Sequence, residues 1–263
     1  MKIIRIILLL PIFSLVSLLC ILTPASAIYI LPLGDLYESL AFAAFFLLLC
    51  TYIRASEPHF HSRPCTPVQA CKIFQFPAIM LLVVIITEIT EAKGVYCEAE
   101  TKVYFAKIWC TILKSVTTIL AIATLLPLFK THLPLLRTLP LPHSPTTQLL
   151  AFKGIVLLNV LQTLIFSFLT PHLSATNKLM TLDLTVVIPR LLLSVEMVGF
   201  AGVFWWVYGV GGYVVGTAGR GNSEGGWKAL GQALNVVGFV EEMVREVKGK
   251  GWRGRGKGCG GEV

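Results

Sequence analysis

The sequence predicts an all-α fold, a polytopic transmembrane helical bundle, on three observations. Hydrophobic residues make up 55% of the 263-residue chain and charged residues only 14%, against about 25% charged in a soluble domain. Mean hydropathy is +0.77, so polar groups are too few to cover the surface and lipid must cover the rest. The apolar stretches are continuous, not alternating, which excludes the in-out strands of a membrane β-barrel.

A span needs about 20 apolar residues, because the hydrocarbon core is about 30 Å thick and a helix rises about 1.5 Å per residue. Six runs meet this: Ile3 to Leu22, Leu36 to Ile53, Ile73 to Thr90, Tyr104 to Leu128, Leu149 to Leu169, and Leu184 to Val210. The first has the basic start of an export signal at Lys2 and Arg5, and it is followed by the cleavage-like triplet Ala25-Ser26-Ala27. Its length exceeds the roughly 7 to 15 residues of a signal core, so the expectation is a retained span followed by a small-residue turn. Pro11 within it is tolerated when neighbours repair the lost hydrogen bond.

The net charge of +8 is unevenly placed. Sixteen of the 22 Lys and Arg residues fall on the side of the N-terminus and only four opposite, with Lys114 and Arg190 inside spans. By the positive-inside rule both termini are expected in the cytoplasm. Residues 1–215 then form the transmembrane domain and 216–263 a cytoplasmic tail. In that tail apolar residues recur from Trp227 through Leu230, Leu234, Val237, Val240 and Val244 to Val247 at near-helical period. This predicts an amphipathic helix over about 225–248 on the membrane surface. The basic, glycine-rich end after it reads as disordered, with no nucleic-acid partner expected.

The seven cysteines are odd in number, and none of Asn159, Asn177, Asn222 and Asn235 begins a glycosylation sequon. No stapled or glycosylated ectodomain is indicated. Enzyme motifs are missing too: the chain has no GxSxG, HExxH or P-loop, and the glycines of 209–219 follow a helix, not a strand. No catalytic residue, cofactor or metal is expected. His59, His61, Cys65 and Cys71 have a spacing that matches no common zinc pattern.

Several segments, read in order, resemble the organic solute transporter alpha-subunit family with its transmembrane protein 184 relatives. KIIRIILLLPIFSLVSLL (2–19) is similar to the family's second helix, and DLYESLAFAAFF (35–46) to the third. ACKIFQFP (70–77) resembles the approach to the fourth and GVYCE (94–98) the loop after it. FKGIVLLNVLQ (152–162) resembles the sixth helix, IPRLLLSVEM (188–197) the seventh, and WKALGQALN (227–235) a short helix beyond. The resemblance implies a seven-span fold here lacking its first helix. It also implies facilitated movement of amphipathic organic anions or steroid-like solutes, with a small single-span beta subunit or a homo-oligomer as partner. The chain departs from the family pattern at Val160-Leu161, at Trp205-Trp206 and at Lys114.

An ionisable group at mid-depth is costly unless it faces a cavity or partner. Glu196 lies about 15 Å into the last span by helical rise. It is therefore the first substrate-path candidate, with Gln162 and Asn159 sharing one face of the preceding span. A packing role through hydrogen bonds is the alternative for each. Glu38, Glu88 and Lys114 lie toward the outer ends of three spans, where Glu–Lys pairing would build a vestibule or solvated boundary residues would suffice. Arg190 can attract an anion or pair with Asp183 or Glu88. Cys65 and Cys71, beside the membrane, are lipidation candidates. A plasma-membrane or endomembrane protein is expected, and a non-transporting scaffold or receptor-like protein is the second reading.

Overall fold

The computed structural model of the chain describes residues 2–56, 65–94, 106–136, 145–173, 186–208 and 231–248. All regular elements among them are helical. They are α1 (Lys2–Ile7), α2 (Leu9–Leu22), α3 (Ala27–Ser56), α4 (Pro67–Ala92), α5 (Ala106–Leu136), α6 (Pro145–Leu173), α7 (Ile188–Val207) and α8 (Val236–Val247). Five helical segments, searched over the described residues, are long and apolar enough to cross a membrane: Lys2–Leu22, Pro24–Arg54, Pro67–Ala92, Trp109–Pro134 and Ile188–Val207. The sixth expected run lies within α6, many of whose side chains fall outside the described ones.

Local chemistry explains the boundaries. α1 and α2 are one span interrupted at Leu8, because Pro11 has no N–H to give the carbonyl of Ile7. The ladder holds on either side, with Leu8 N–H on Ile4 at 2.9 Å and Ile12 N–H on Leu8 at 3.2 Å. A 3-10 turn over Pro24–Ser26 then joins α2 to α3, so the small residues make the expected turn. α3 departs from expectation in starting at Ala27, nine residues before Leu36. Pro32 in its first turns needs only its helical neighbours to repair one bond. α4 starts on a capping box: Thr66 Oγ1 accepts from Gln69 N–H at 3.2 Å, and Thr66 N–H donates to Gln69 Oε1 at 2.9 Å, with Pro67 at the first helical position.

α3 is the centre. Every residue from Ala41 to Cys50 is buried, the mark of a helix packed on all sides. It touches α1, α2, α4 and α5. Its phenylalanines meet α4 edge-on, Phe42 to Phe76 and Phe46 to Phe74, while Phe45 stacks on Phe152 of α6 with centroids 5.6 Å apart. α2 and α6 both pack on α7. The outside is as apolar as the inside, with Leu15, Leu82, Ile119, Leu157 and Val198 all exposed, which water would penalise and lipid does not. Because Ala44 is fully buried in this centre, Ala44→Leu should overpack it and cost about 1–3 kcal/mol. Thermal unfolding in detergent would register this as a lowered midpoint, against an unchanged one for the exposed Leu82→Ile.

The helices run up and down, and side-chain contacts fix which ends coincide. At one end, here the near end, Lys2 reaches Thr51 Oγ1 at 2.6 Å, Cys50 meets Cys65 at 3.9 Å, and Tyr208 O–H donates to the Gln148 carbonyl at 3.3 Å. Lys114 of α5 pairs with Asp35 of α3 at the far end. α8 docks at the near end against α4.

The C-terminal segment differs from the expected continuous helix. Residues 231–234 form one helical turn, Asn235 is extended, and its side chain caps α8 by accepting from Gly238 N–H at 3.0 Å. Residues 225–230 lie outside the described residues. The buried face of the segment is Ala233, Phe239 and Met243, whereas Leu234, Val237, Val240 and Val244 of the expected stripe are exposed. Both faces of α8 are apolar, and the larger side chains fill the bundle.

Candidate functional site

Two polar constellations sit inside the apolar bundle. The first joins α6 to α7, where the Gln162 side-chain amide donates to the Glu196 carboxylate. Gln162 is buried and Glu196 half-buried. Glu196 is eight residues into α7, about 12 Å from its start by helical rise. One amide donor satisfies one oxygen of a carboxylate that can accept about four hydrogen bonds. The pair can therefore also receive a hydroxyl or N–H from a solute. Exposed Leu161 and Val195 flank it, so it borders the lipid-facing surface. Toward the near end Gly154 lets the helices close: a Cβ there would lie 3.1 Å from the Phe200 ring. The side chain of Asn159 lies outside the described residues.

The second constellation is at the far end. Lys114 pairs with Asp35. Glu38, one turn along α3, is within electrostatic reach of both. Arg190 of α7 interacts with the same Asp35 and with Cys20. Four groups that sequence spacing scatters over three helices thus converge, with Lys114 ion-paired to Asp35 and Arg190 within electrostatic reach of the same acid. Asp35 was not among the expected site residues, although its position three before Glu38 puts both on one helix face. Lys114 pairs with Asp35, not with the glutamates expected. Glu88 is half-buried on α4 and makes no hydrogen bond or ion pair with Lys114 or Arg190 among the described residues. Asp183 lies outside them.

At the near end Cys71 is exposed, whereas Cys65 is 6% exposed and packed between Cys50 and Glu246. The hydrogen bond from the Cys50 thiol draws the Cys65 thiol below its ordinary range, outweighing burial and Glu246. Of the two cysteines, Cys71 is the accessible one. His59 and His61 lie outside the described residues.

A second near-end feature was read from sequence only as topological charge. Arg5 is 8% exposed. Its Nε donates to the Ala233 carbonyl at 2.8 Å, and Nη2 donates to Gln232 and Asn235 carbonyls at 3.2 Å. Its Cζ lies 4.3 Å from the Phe239 ring centroid. Glu242 receives Lys2 at 3.0 Å, and Arg54 pairs with Glu246. The guanidinium fork satisfies the Gln232 and Ala233 carbonyls at the C-terminal end of the 231–234 turn. It adds a second donor to the Asn235 carbonyl, which already accepts from Phe239 N–H at 3.3 Å.

No solved structure matches this chain. The family model of the organic solute transporter Ostalpha matches residues 1–213, which covers all seven helices of the two constellations and the bundle around them. That family is one of multi-pass membrane transporters, not enzymes. An amide–carboxylate pair at a lipid-bordering seam and an ion-paired polar cluster in a helical bundle with an apolar exterior accord with this, and the chain belongs to the organic solute transporter Ostalpha family.

Proposed function

We propose that this chain facilitates downhill movement of amphipathic organic anions or steroid-like solutes across its membrane. The observation that carries the reading is the Gln162–Glu196 pair at the lipid-bordering seam of α6 and α7. An ionisable group at that depth is a functional-site hypothesis by default. The centre of the bundle around Ala41–Cys50 is packed, so the favoured route is along this seam, where an amphipathic solute keeps its apolar body in lipid. Its polar groups meet Glu196 and Gln162, and its anionic group meets Arg190, whose fork suits carboxylate or sulfate. Asn159, Lys114, Glu38 and Glu88 remain proposed members of the path or its outer mouth.

The near end is proposed to be cytoplasmic, with both termini there, and Cys71 is the favoured S-acylation site on its side. A small single-span beta subunit, or a second copy of the chain, is the proposed partner.

Labelled steroid sulfate uptake into liposomes, with and without a beta partner, tests the function. Arg190→Gln should lower uptake at least about tenfold, the loss of one charge-assisted contact worth about 1.5–3 kcal/mol. Glu196→Gln should lower it less, because the amide keeps the hydrogen bond to Gln162. No flux above empty vesicles in either condition would sink the proposal, whereas unchanged flux in both variants would sink only the residue roles.

The scaffold or receptor-like reading rests on the outward valines of α8, Val236, Val237, Val240 and Val244. Tail-dependent partner capture by a protein without flux would favour it. Trp205 and Trp206 do not: they are exposed at the near-end terminus of α7, where membrane helices place interfacial aromatics.

A further inference from the structure

Three chain segments meet at the near end of the bundle. Cys50 closes the buried run of α3, Cys65 precedes the cap of α4, and Glu246 lies in the last turn of α8. Their ligand atoms, two Sγ and one carboxylate oxygen, all lie within 4.8 Å of one another. The Sγ–Sγ separation is 3.9 Å, and Cys65 Sγ is 3.9 Å from Glu246 Oε1. A zinc–sulfur bond of about 2.3 Å and tetrahedral angles put two thiolates about 3.8 Å apart, and a thiolate and a carboxylate oxygen about 3.6 Å apart. Two edges of such a tetrahedron are thus already present, and the third, from Cys50 Sγ to Glu246, is no longer than 4.8 Å.

We propose that Cys50, Cys65 and Glu246 form a zinc site that staples α8 to the near end of the bundle. Water takes the fourth corner. It enters from a cavity of about 410 Å³ beside Cys65, bordered by Thr66, Gln69, Thr131 and His132. Binding forms two Zn–S bonds and one Zn–O bond, displaces waters from the hydrated ion, and releases both thiol protons to solvent. No electron is transferred. Two thiolates and a carboxylate bring three negative charges against two on the ion. Arg54, already on Glu246, offsets the third, so the guanidinium is a neutralising neighbour of the site. Two soft thiolates with one hard oxygen favour Zn²⁺ over Mg²⁺ or Ca²⁺, which take all-oxygen shells. The motif was invisible along the chain because Cys50 sits in an apolar run and Glu246 is 181 residues from Cys65.

The full chain, purified in detergent under thiol reductant, stripped with a chelator and reloaded with Zn²⁺, should retain about one zinc per chain through gel filtration. Co²⁺ in its place should show thiolate-to-cobalt charge transfer and the visible bands of tetrahedral coordination. Cys50→Ser and Cys65→Ser should each weaken zinc binding at least about tenfold, and Glu246→Gln by about tenfold, comparable to losses at supporting residues of metal sites. Cys71→Ser should change nothing. Zn²⁺ should slow amide exchange of residues 236–247 in the wild type only. A wild type that loses its zinc on gel filtration overturns the proposal without recourse to any variant. So does a Cys50→Ser/Cys65→Ser double variant that keeps as much zinc as wild type, or an octahedral, thiolate-free Co²⁺ spectrum.

Discussion

Arg5→Met should release the C-terminal segment from the bundle. Arg5 makes three hydrogen bonds to the carbonyls of Ala233, Gln232 and Asn235 from a site only 8% exposed. Charge-assisted bonds contribute about 1.5–3 kcal/mol each, and orphaned carbonyls carry their own cost. A loss of about 3 kcal/mol is therefore expected, which is roughly a hundredfold faster opening at 1.4 kcal/mol per tenfold. Amide exchange over residues 236–247, read by mass spectrometry, would report it. Glu242→Gln is the contrast, since Glu242 is 37% exposed and its ion pairs, with Lys2 at 3.0 Å and with Arg5 at 3.8 Å, are at the surface, worth about 0–1 kcal/mol each, while the three bonds from Arg5 to carbonyls stay in place. Arg5→Lys keeps the positive charge but not the planar fork, so it should behave like Arg5→Met. Equal exchange in Arg5→Met and wild type would show that Arg5 does not hold the segment, and an Arg5→Lys variant as slow as wild type would show that charge without the fork suffices.

The second large effect concerns the far-end cluster. Lys114→Met should leave Asp35 in the bundle without its ion-pair partner, and Asp35→Asn should leave two cations without their shared acid. Stranding one member of an intramembrane pair costs about 2–3 kcal/mol. The double variant Asp35→Asn/Lys114→Met removes both charges and should recover more than half of either loss. Thermal unfolding in one detergent, run as a double-mutant cycle, gives the coupling directly. A coupling below about 0.5 kcal/mol would mean that water screens the pair as at an ordinary surface. Arg190 also loses Asp35 in the double variant, which keeps the recovery incomplete.

How much was legible depended on whether the signal was local. The spans were legible because burial in lipid depends on the run of residue types along one helix, and the Thr66–Gln69 cap is written within four residues. The Gln162–Glu196 meeting was half legible: each residue's polarity in an apolar run marked it, but their contact needed α6 packed on α7. The start of α3 was not legible. Ile28 to Gly34 holds a proline and a glycine, both poor helix formers, and so reads as a connection, whereas in the structure it is helical in a helix packed against α2. The docking face of α8 was misleading for a physical reason. Its valines and its Phe239–Met243 pair are both apolar stripes at helical period, and periodicity cannot say which one meets protein and which meets lipid.

The sequence by itself determined an all-helical membrane protein, the approximate place of the five candidate spans among the described residues, and a family likeness, because hydropathy and helical period act over short stretches. The tertiary structure alone decided that Arg5 grips the far terminus of the chain, that Asp35 is the acid two cations share, and that Cys50, Cys65 and Glu246 converge. Those outcomes depend on contacts between residues 15 to 230 apart in sequence. No local propensity encodes such pairings; they follow from which helix faces can be brought together around α3.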